Sequence, residues 1–511
     1  MMTMTYLLDT PDRAAARVLE QLPRSVRDAL LLPGAALYLV GGFVRDALLG
    51  RTNRDLDLTV GGDALATARQ IARRLGAVVV TLDAERGAYR VALRELLAGI
   101  AMVDVTRLRA PAIEADLRLR DFTVNAIAVP LADEDGGTPR LIDPMDGVGD
   151  LRRKLLRMAG PTAFTDDPLR PLRGARLAIE LDFTIEEETA RAARAAAPLL
   201  TQVAAERRRD EFSRILASDA AGHGARLMDE LGLLSVLLPD LDAARGCTQP
   251  PEHYYDVFEH SLATLDALDA LLRHEPPDDA RERLLWSGAQ TVFARVPAAR
   301  ARLESIAADE RPWRATLKFV GLLHDVAKPE TRTVEPATGR VRFFGHSERG
   351  AERAGALARA LRFSAREVAY VEKLIAQHLR PGMLASPGQP PTRRALYRLA
   401  RDLGEHVPDL FLLHLADHAA VRGPRLTAEE WRQHVAYFDA LLAILYSEKV
   451  ASLPRLITGD DLIAELGLRP GPLLGRLLEA VREAQAAGEV TDRAGALALA
   501  RRVLAEEKDD G

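Results

Sequence analysis

The chain is 511 residues long, and 69 lysines and arginines against 74 aspartates and glutamates leave a formal charge of −5. That length exceeds what one hydrophobic core organises, so three or more domains are expected, and no apolar run is long enough to span a bilayer. A single cysteine, Cys247, excludes an internal disulfide and a thiolate zinc site, so any metal here must use oxygen and imidazole ligands.

The N-terminal stretch "MMTMTYLLDTPDRAAARVLEQLPRSVRDAL" mixes acids with arginines and lacks the apolar core and cleavage site of an export signal. A helical extension over 1–35 and a cytoplasmic location are expected. Residues 36–160 alternate short apolar runs, "ALYLV", "DLDLTV", "GAVVVTL" and "AMVDVT", with the helical "DALATARQIARRLG", which predicts an α/β region. Beyond "DDPLRPLR" the pattern turns almost wholly helical, with Gly and Pro as punctuation. Breaks at Gly246 to Asp256 and Arg422 to Trp431 bracket a segment that holds most of the histidines. The fold class is therefore α+β, divided at 161–245, 246–425 and 426–511, with the acidic end "AEEKDDG" expected to fray.

Net charge does not decide nucleic-acid binding; the placement of cations does. Arginines cluster in "RLRAPAIEADLRLRD", "DLRRKLLR", "DPLRPLRGAR" and "ERRRDEFSR". In "RDLDL", Asp55 and Asp57 are two apart, so on a strand both carboxylates point to one face and can share a hard divalent ion such as Mg²⁺. Gly41 and Gly42 follow the apolar "LYLV" and precede the helix-like "FVRDALLG", where backbone amides can approach a phosphate. Arg45 lies one turn further on, within reach of a triphosphate. Asp104 in "AMVDVT" is a possible third carboxylate.

Together "LVGGFVRDALLGRTNRDLDLTV", "LRDFTVNAIAV", "LIDPMDGVGDLRRKLLR", "DDPLRPLRGARLA", "ERRRDEF" and the C-terminal "ITGDDLIAELGLRPGPLLGRLLEAVREAQAAGEV" resemble, in order, the motifs of class II tRNA nucleotidyltransferases and bacterial poly(A) polymerases. The resemblance spans nearly the whole chain. It implies a polymerase β-like nucleotidyltransferase head, a helical neck over 161–245 and a helical tail, with CTP and ATP as nucleotides and tRNA as partner. By this resemblance Asp55 and Asp57 are catalytic, and Gly41, Gly42, Arg45, Arg120, Asp167, Arg170 and Arg173 bind the nucleotide. Asp121 and Asn125 are expected to order the turn that carries Arg120. Asp166 or Asp167 is expected to cap a helix that Pro168 begins, with Arg170 and Arg173 one turn apart on its face. Asp167 with Arg170 would offer an acceptor and planar donors to the Watson–Crick edge of a base.

The chain also departs from the family pattern. Asp166 stands for a Glu, Leu119 for the first Arg of RRDFT, and Pro171 falls within the first turns of the presumed helix, removing a backbone donor. The link "LRAPAIEA" is shorter than the flexible loop that the resemblance associates with switching from C to A addition. CC addition, A addition, full CCA addition and poly(A) synthesis all stay open.

His260, His324, Asp325, His346, His378 and Asp417 occur in the order expected of the HD phosphohydrolase superfamily, which they resemble. Imidazoles and carboxylates from several helices can hold a divalent transition metal such as Ni²⁺, Mn²⁺ or Co²⁺ and direct water against a phosphate ester. Lys328, three residues beyond Asp325, could steady that phosphate. Two further readings are a phosphohydrolase whose head only binds RNA, and a non-catalytic RNA scaffold. The oligomeric state is not legible.

Overall fold

The computed structural model describes residues 10–32, 34–97, 99–131, 139–384, 391–447 and 453–509. The chain divides into two compact units, one made of residues up to Arg208 with Leu227–Val236, the other of Arg209–Arg226 with residues from Leu237 onward.

The first unit is organised by a mixed sheet of six strands: β1 (Leu37–Val40), β2 (Asp55–Val60), β3 (Val78–Asp83), β4 (Ala88–Leu97), β5 (Ile100–Arg107) and β6 (Ala128–Pro130), in the order β3-β4-β5-β2-β1-β6. Strand β2 runs parallel to β5 and antiparallel to β1. The period of two along "DLDLTV" does the sorting. Leu56, Leu58 and Val60 are buried, whereas Asp55 and Asp57 alternate with them onto the other face. Helix Ala64–Leu75 covers the apolar face with Ala64, Ala68, Ile71 and Ala72, at the spacing of one helical stripe. It starts at Asp63, whose side chain accepts from the Ala66 amide at 3.0 Å, and stops at left-handed Gly76.

The expected strand-to-helix turn at the glycines is present: β1 ends at Val40 and a helix runs Gly41–Leu48. The helix expected at Pro168 runs from Arg170 to Leu181, and at its entry Asp167 accepts the amide of Leu169 through Oδ1 at 3.2 Å. Pro171 thus sits in the first turn, where the missing N–H has no partner to lose.

In the second unit, helix Val257–Leu272 packs against Trp313–Leu323 and Val407–Arg422, and His346–Ala360 pairs with Ala365–Gln377. The last three helices, Gly459–Leu466, Pro472–Ala486 and Arg493–Asp509, close a core of their own around Leu462, Leu477, Val481 and Ala500. The acidic end expected to fray continues this last helix to Asp509; its final two residues lie outside the described residues.

One buried ion organises the far end of the head. Asp150 is fully buried and accepts from Thr123 Oγ1 at 2.6 Å, Arg153 at 2.7 Å and Arg157 at 2.7 Å, tying "DFTVN" to "GVGDLRRKLLR". Removing Asp150 would leave the buried Thr123 hydroxyl without its acceptor and the partly exposed Arg153 and Arg157 without their shared anion. Asp150→Ala is expected to destabilise the first unit by about 1–3 kcal/mol, read as a lowered urea midpoint in the transition that reports loss of β-sheet signal.

Candidate active sites

In the head, register sets the geometry. Asp57 on β2 lies opposite Asp104 on β5, and Asp55 opposite Met102, so Asp55, Asp57 and Asp104 share one open face. Asp104 is held bidentately by Arg90 at 2.8 Å through each oxygen, which ties up the possible third carboxylate. Burial pushes the Asp57 carboxyl up to about 6 against the pull of Arg120, with Asp104 and Asp55 adding like charge. A divalent cation between Asp55 and Asp57 would relieve that repulsion, so the residues present fit the ion expected here.

The glycine turn closes on the same carboxylate. The Gly42 amide donates to Asp57 Oδ2 at 3.3 Å. Gly41 has φ of +71°, and a Cβ there would lie 2.6 Å from Asp57 Oδ2, so only glycine permits this approach. Arg45, expected to reach a triphosphate, is 8% exposed, and three of its five N–H groups are taken by buried partners. Its Nε and Nη2 grip Asp46 at 2.9 Å each, and Nη1 donates to Asn125 at 2.8 Å. Asp46 also accepts from Asn53 at 2.7 Å, and Asn53 Oδ1 accepts the Asp55 amide at 2.9 Å. Arg45 thus sets the entrance of strand β2 from behind. Asn53, in "RTNRDLD", escaped the sequence reading, because a lone Asn beside an acid is an ordinary turn residue.

Arg120 donates to Thr59 on β2 at 2.9 Å and pairs with Asp116 at 3.6 Å, which brings its charge to Asp57. Asp121 orders the turn as expected: it accepts from the Phe122 amide at 2.8 Å and from Asn125 at 3.2 Å, and it receives Arg173 at 3.3 Å. Arg170 is 9% exposed and donates to the carbonyls of Arg120, Ala163 and Leu119 at 3.2, 3.0 and 3.0 Å. Those bonds take three of its five N–H groups, leaving Nε–H and one Nη2–H. They also explain Leu119, since that position contributes a carbonyl and its side chain is exposed. Asp167 does not pair with Arg170; it accepts from Arg207 at 2.9 Å and from the Leu169 amide at 3.2 Å. Burial opposes its charge, yet Arg207 holds Asp167 below the ordinary carboxylate range. Arg207 belongs to the "ERRRDEF" cluster, visible in the sequence as charge but not as this pair.

The short link after β5 is pinned. The Arg109 amide donates to Asp116 Oδ1 at 2.9 Å, and its guanidinium reaches the carbonyls of Asp116 and Leu119 at 3.3 and 3.2 Å.

In the second unit the six expected residues converge. His260 Nε2 lies 3.2 Å from His324 Nε2, 3.3 Å from Asp325 Oδ2 and 3.1 Å from Asp417 Oδ1. On the other oxygen, Asp325 Oδ1 faces His346 Nε2 at 3.4 Å and His378 Nε2 at 3.7 Å. Asp325 therefore stands between two donor groups, His260 with His324 and His346 with His378. Each of His324, His346 and His378 turns Nδ1 onto the carbonyl three residues earlier, at 2.8, 2.6 and 2.7 Å, which aims its Nε2 inward.

The electrostatics of this centre call for positive charge. Burial alone would lower His324, but Asp325 and Asp417 hold it up at about 10. Burial and the neighbouring His324 take His378 down to about 3, the neutral form a ligand needs. Asp325 Oδ1 and Nε2 of His346 are buried without a hydrogen-bond partner among the described residues. An orphaned carboxylate oxygen among converging imidazole nitrogens fits divalent metal binding. Lys328, expected to face a substrate phosphate, is buried and sits on Asp325 Oδ2 at 2.6 Å and Gln249 Oε1 at 2.7 Å. His253 was not foreseen; its ring stands 5.8 Å from that of His260, edge to face.

Comparison with known proteins follows the same division. Residues 37–157 match the poly A polymerase head domain, 182–245 the probable RNA and SrmB-binding site of polymerase A, and 300–418 the HD domain. The HD match begins beyond His260, which the geometry nevertheless places in the centre. An A-adding tRNA nucleotidyltransferase of Deinococcus radiodurans is 36% identical over 463 residues, 90% of this chain and 93% of that protein. A CC-adding tRNA nucleotidyltransferase of Thermus thermophilus is 35% identical over 459 residues, 89% and 90% of the two chains. Among solved structures, a CCA-adding enzyme with CTP shares the fold at a TM-score of 0.60 and 20% identity, covering 96% of this chain and 98% of its own. The Thermotoga maritima CCA-adding enzyme complexed with tRNA does so at 0.57 and 20%, with the same coverage. No helix among the described residues is long and apolar enough to cross a membrane. By sequence likeness over nine-tenths of its length, borne on a head and an HD domain whose carboxylates and imidazoles converge, the chain belongs to the tRNA nucleotidyltransferase family.

Proposed function

We propose that the protein extends the 3′ end of tRNA with cytidylate from CTP, in a cytoplasmic setting, with a second, phosphohydrolase site in its HD domain. The observation that carries the first part is the Asp55–Asp57 pair on an open sheet face beside the glycine turn. In this reading 36–160 is the transferase head after the extension 1–35, 161–245 the neck, 246–425 the HD domain and 426–511 the tail. The RNA 3′-hydroxyl oxygen bonds to the α-phosphorus of the nucleotide, and the bond to the β-phosphate breaks with release of pyrophosphate. Mg²⁺ held by Asp55 and Asp57 would lower the charge on the attacking and leaving oxygens. The Gly41 amide and the charge of Arg120 face the triphosphate, while the Gly42 amide holds Asp57 and Arg45 positions the strand. Asp167 supplies an ionised acceptor, and Arg170 presents its remaining Nε–H and Nη2–H edge; with Arg173 these groups read the base.

Restriction to C is supported by the pinned link Leu108 to Ala112. Arg109 clamps it to Asp116 and Leu119, so it offers no long mobile loop with which to resize the pocket for A. The likeness to an A-adding relative supports A addition as the second reading. In the HD domain, His260, His324, Asp325, His346, His378 and Asp417 would hold a divalent ion of the Ni²⁺, Mn²⁺ or Co²⁺ kind, which supplies activation of water against a phosphate ester. Lys328 fixes Asp325, and the backbone-bound Nδ1 atoms fix the three imidazoles.

Three measurements test this. Incubated with CTP, ATP and Mg²⁺, tRNA ending at its discriminator base should gain two C residues, and tRNA ending after the second C should gain none; addition of A to the latter would replace the CC reading. Asp57→Asn should lower CTP incorporation by about 10³-fold, and Gly41→Ala by about 10²-fold through displacement of Asp57, each measured by gel-resolved single turnover. Asp325→Ala should remove bound transition metal, read by elemental analysis, and abolish hydrolysis of phosphate esters while CTP incorporation persists.

A further inference from the structure

The last three helices of the second unit carry an apolar core of their own. Every described residue of that core lies between Leu456 and Leu504, and none comes from the rest of the unit. The segment rests on helix Arg393–Leu403, whose sides divide by chemistry. Leu396, Leu399 and Leu403, spaced as one helical stripe, are buried, and the helix packs on Val407–Arg422 and Ala428–Ser447. Arg394, Arg398 and Arg401, spaced as a second stripe, meet acids of the last segment instead. Arg398 grips Glu483 with Nε at 2.9 Å and Nη2 at 2.6 Å. Arg401 Nη1 donates to Glu479 at 2.6 Å and to Glu483 at 3.2 Å, and Arg394 Nη2 donates to Glu489 at 2.7 Å. Arg398 holds the Glu483 carboxyl below its ordinary range, which keeps it ionised. Among the described residues, the buried apolar contact between helices Arg393–Leu403 and Pro472–Ala486 is a single pair, Tyr397 with Ala486.

Ion pairs elsewhere in the unit do not stand so alone. Arg295 also grips Asp439 bidentately, at 2.6 and 2.8 Å, but the helices it joins bury Trp431 against Gly288 as well. Exposed pairs are individually weak and are screened by salt, and Arg394, Arg398 and Arg401 all stay partly open to solvent. A guanidinium that holds a carboxylate holds a phosphate in the same geometry, so a phosphate backbone can replace the glutamates without leaving the arginines unpaired.

We propose that helix Arg393–Leu403 and residues 472–489 form an ionic latch, closed in the free protein and opened when RNA phosphates take Arg394, Arg398 and Arg401 from Glu479, Glu483 and Glu489. The last three helices then separate from the rest of the unit with their own core intact. RNA as the opening polyanion rests on the RNA-extending function proposed above; the latch itself does not.

The test uses the full-length protein. Without RNA, the radius of gyration from small-angle X-ray scattering should rise between about 0.1 and about 1 M salt while the helical circular dichroism holds. Arg394→Glu or Glu489→Arg should lower the salt midpoint of that expansion, and the two together should restore it. A radius indifferent to salt and to these charges would overturn the latch. For RNA, the variant Glu479→Gln, Glu483→Gln, Glu489→Gln should bind a tRNA lacking its 3′ end about threefold tighter or more, by fluorescence anisotropy. The variant Asp460→Asn, Asp492→Asn, Glu506→Gln, which removes the same charge outside the latch, should not. In Arg394→Ala, Arg398→Ala, Arg401→Ala the slope of log K against log [salt] should become shallower by about two to three units. Equal affinity in the two neutralised variants, or an unchanged slope in protein of wild-type thermal stability, would overturn the exchange with RNA. If wild-type protein extends no RNA, the transferase reading fails instead, and the scattering still decides the latch.

Discussion

A buried chain of polar contacts, Asp46–Arg45–Asn125–Asp121–Arg173, is the constraint on which the transferase site depends. It links the glycine helix, the turn that carries Arg120 and the helix that carries Arg170. Asn53 extends it to the amide that starts the catalytic strand. Every member is charged or amide-bearing and all but the half-buried Arg173 are buried, so each buried member is costly to leave unpaired, and the segments they join cannot drift independently. Asp55, Asp57 and Arg170 inherit fixed positions from this chain of partners.

The two candidate centres solve the same electrostatic problem with different ligands. In the head, like-charged carboxylates converge on an open face and Asp57 is driven toward the neutral acid by burial. In the HD domain, burial is deeper, and imidazoles whose Nδ1 atoms are fixed by backbone carbonyls surround one carboxylate with an oxygen for each side. Oxygen donors open to solvent suit a hard ion that arrives with the nucleotide, whereas nitrogen-rich, dry donor sets suit a retained transition metal. A single cysteine in the sequence already restricted both sites to oxygen and nitrogen.

The departures from the family pattern find local reasons. Leu119 is tolerated because its carbonyl, not its side chain, meets Arg170 and Arg109. Pro171 falls in a first turn rather than a helix interior. The shortened link is held by Arg109 and Asp116, so its brevity yields an ordered connection.

Much of this protein was legible as local pattern. The period of two in "DLDLTV" put Asp55 and Asp57 on one face, the glycines marked the turn, helical periodicity separated head from body, and the order of histidines and aspartates named the second centre. Those features depend on neighbours within a few residues, which a sequence displays directly. What tertiary structure alone decided is which charges are consumed. Arg45, Arg120, Arg170 and Lys328 read alike as available cations, but partners up to 80 positions away for Arg45, or 79 for Lys328, turn some of them inward. The reason is that side-chain electrostatics acts across space, over distances that chain order does not encode.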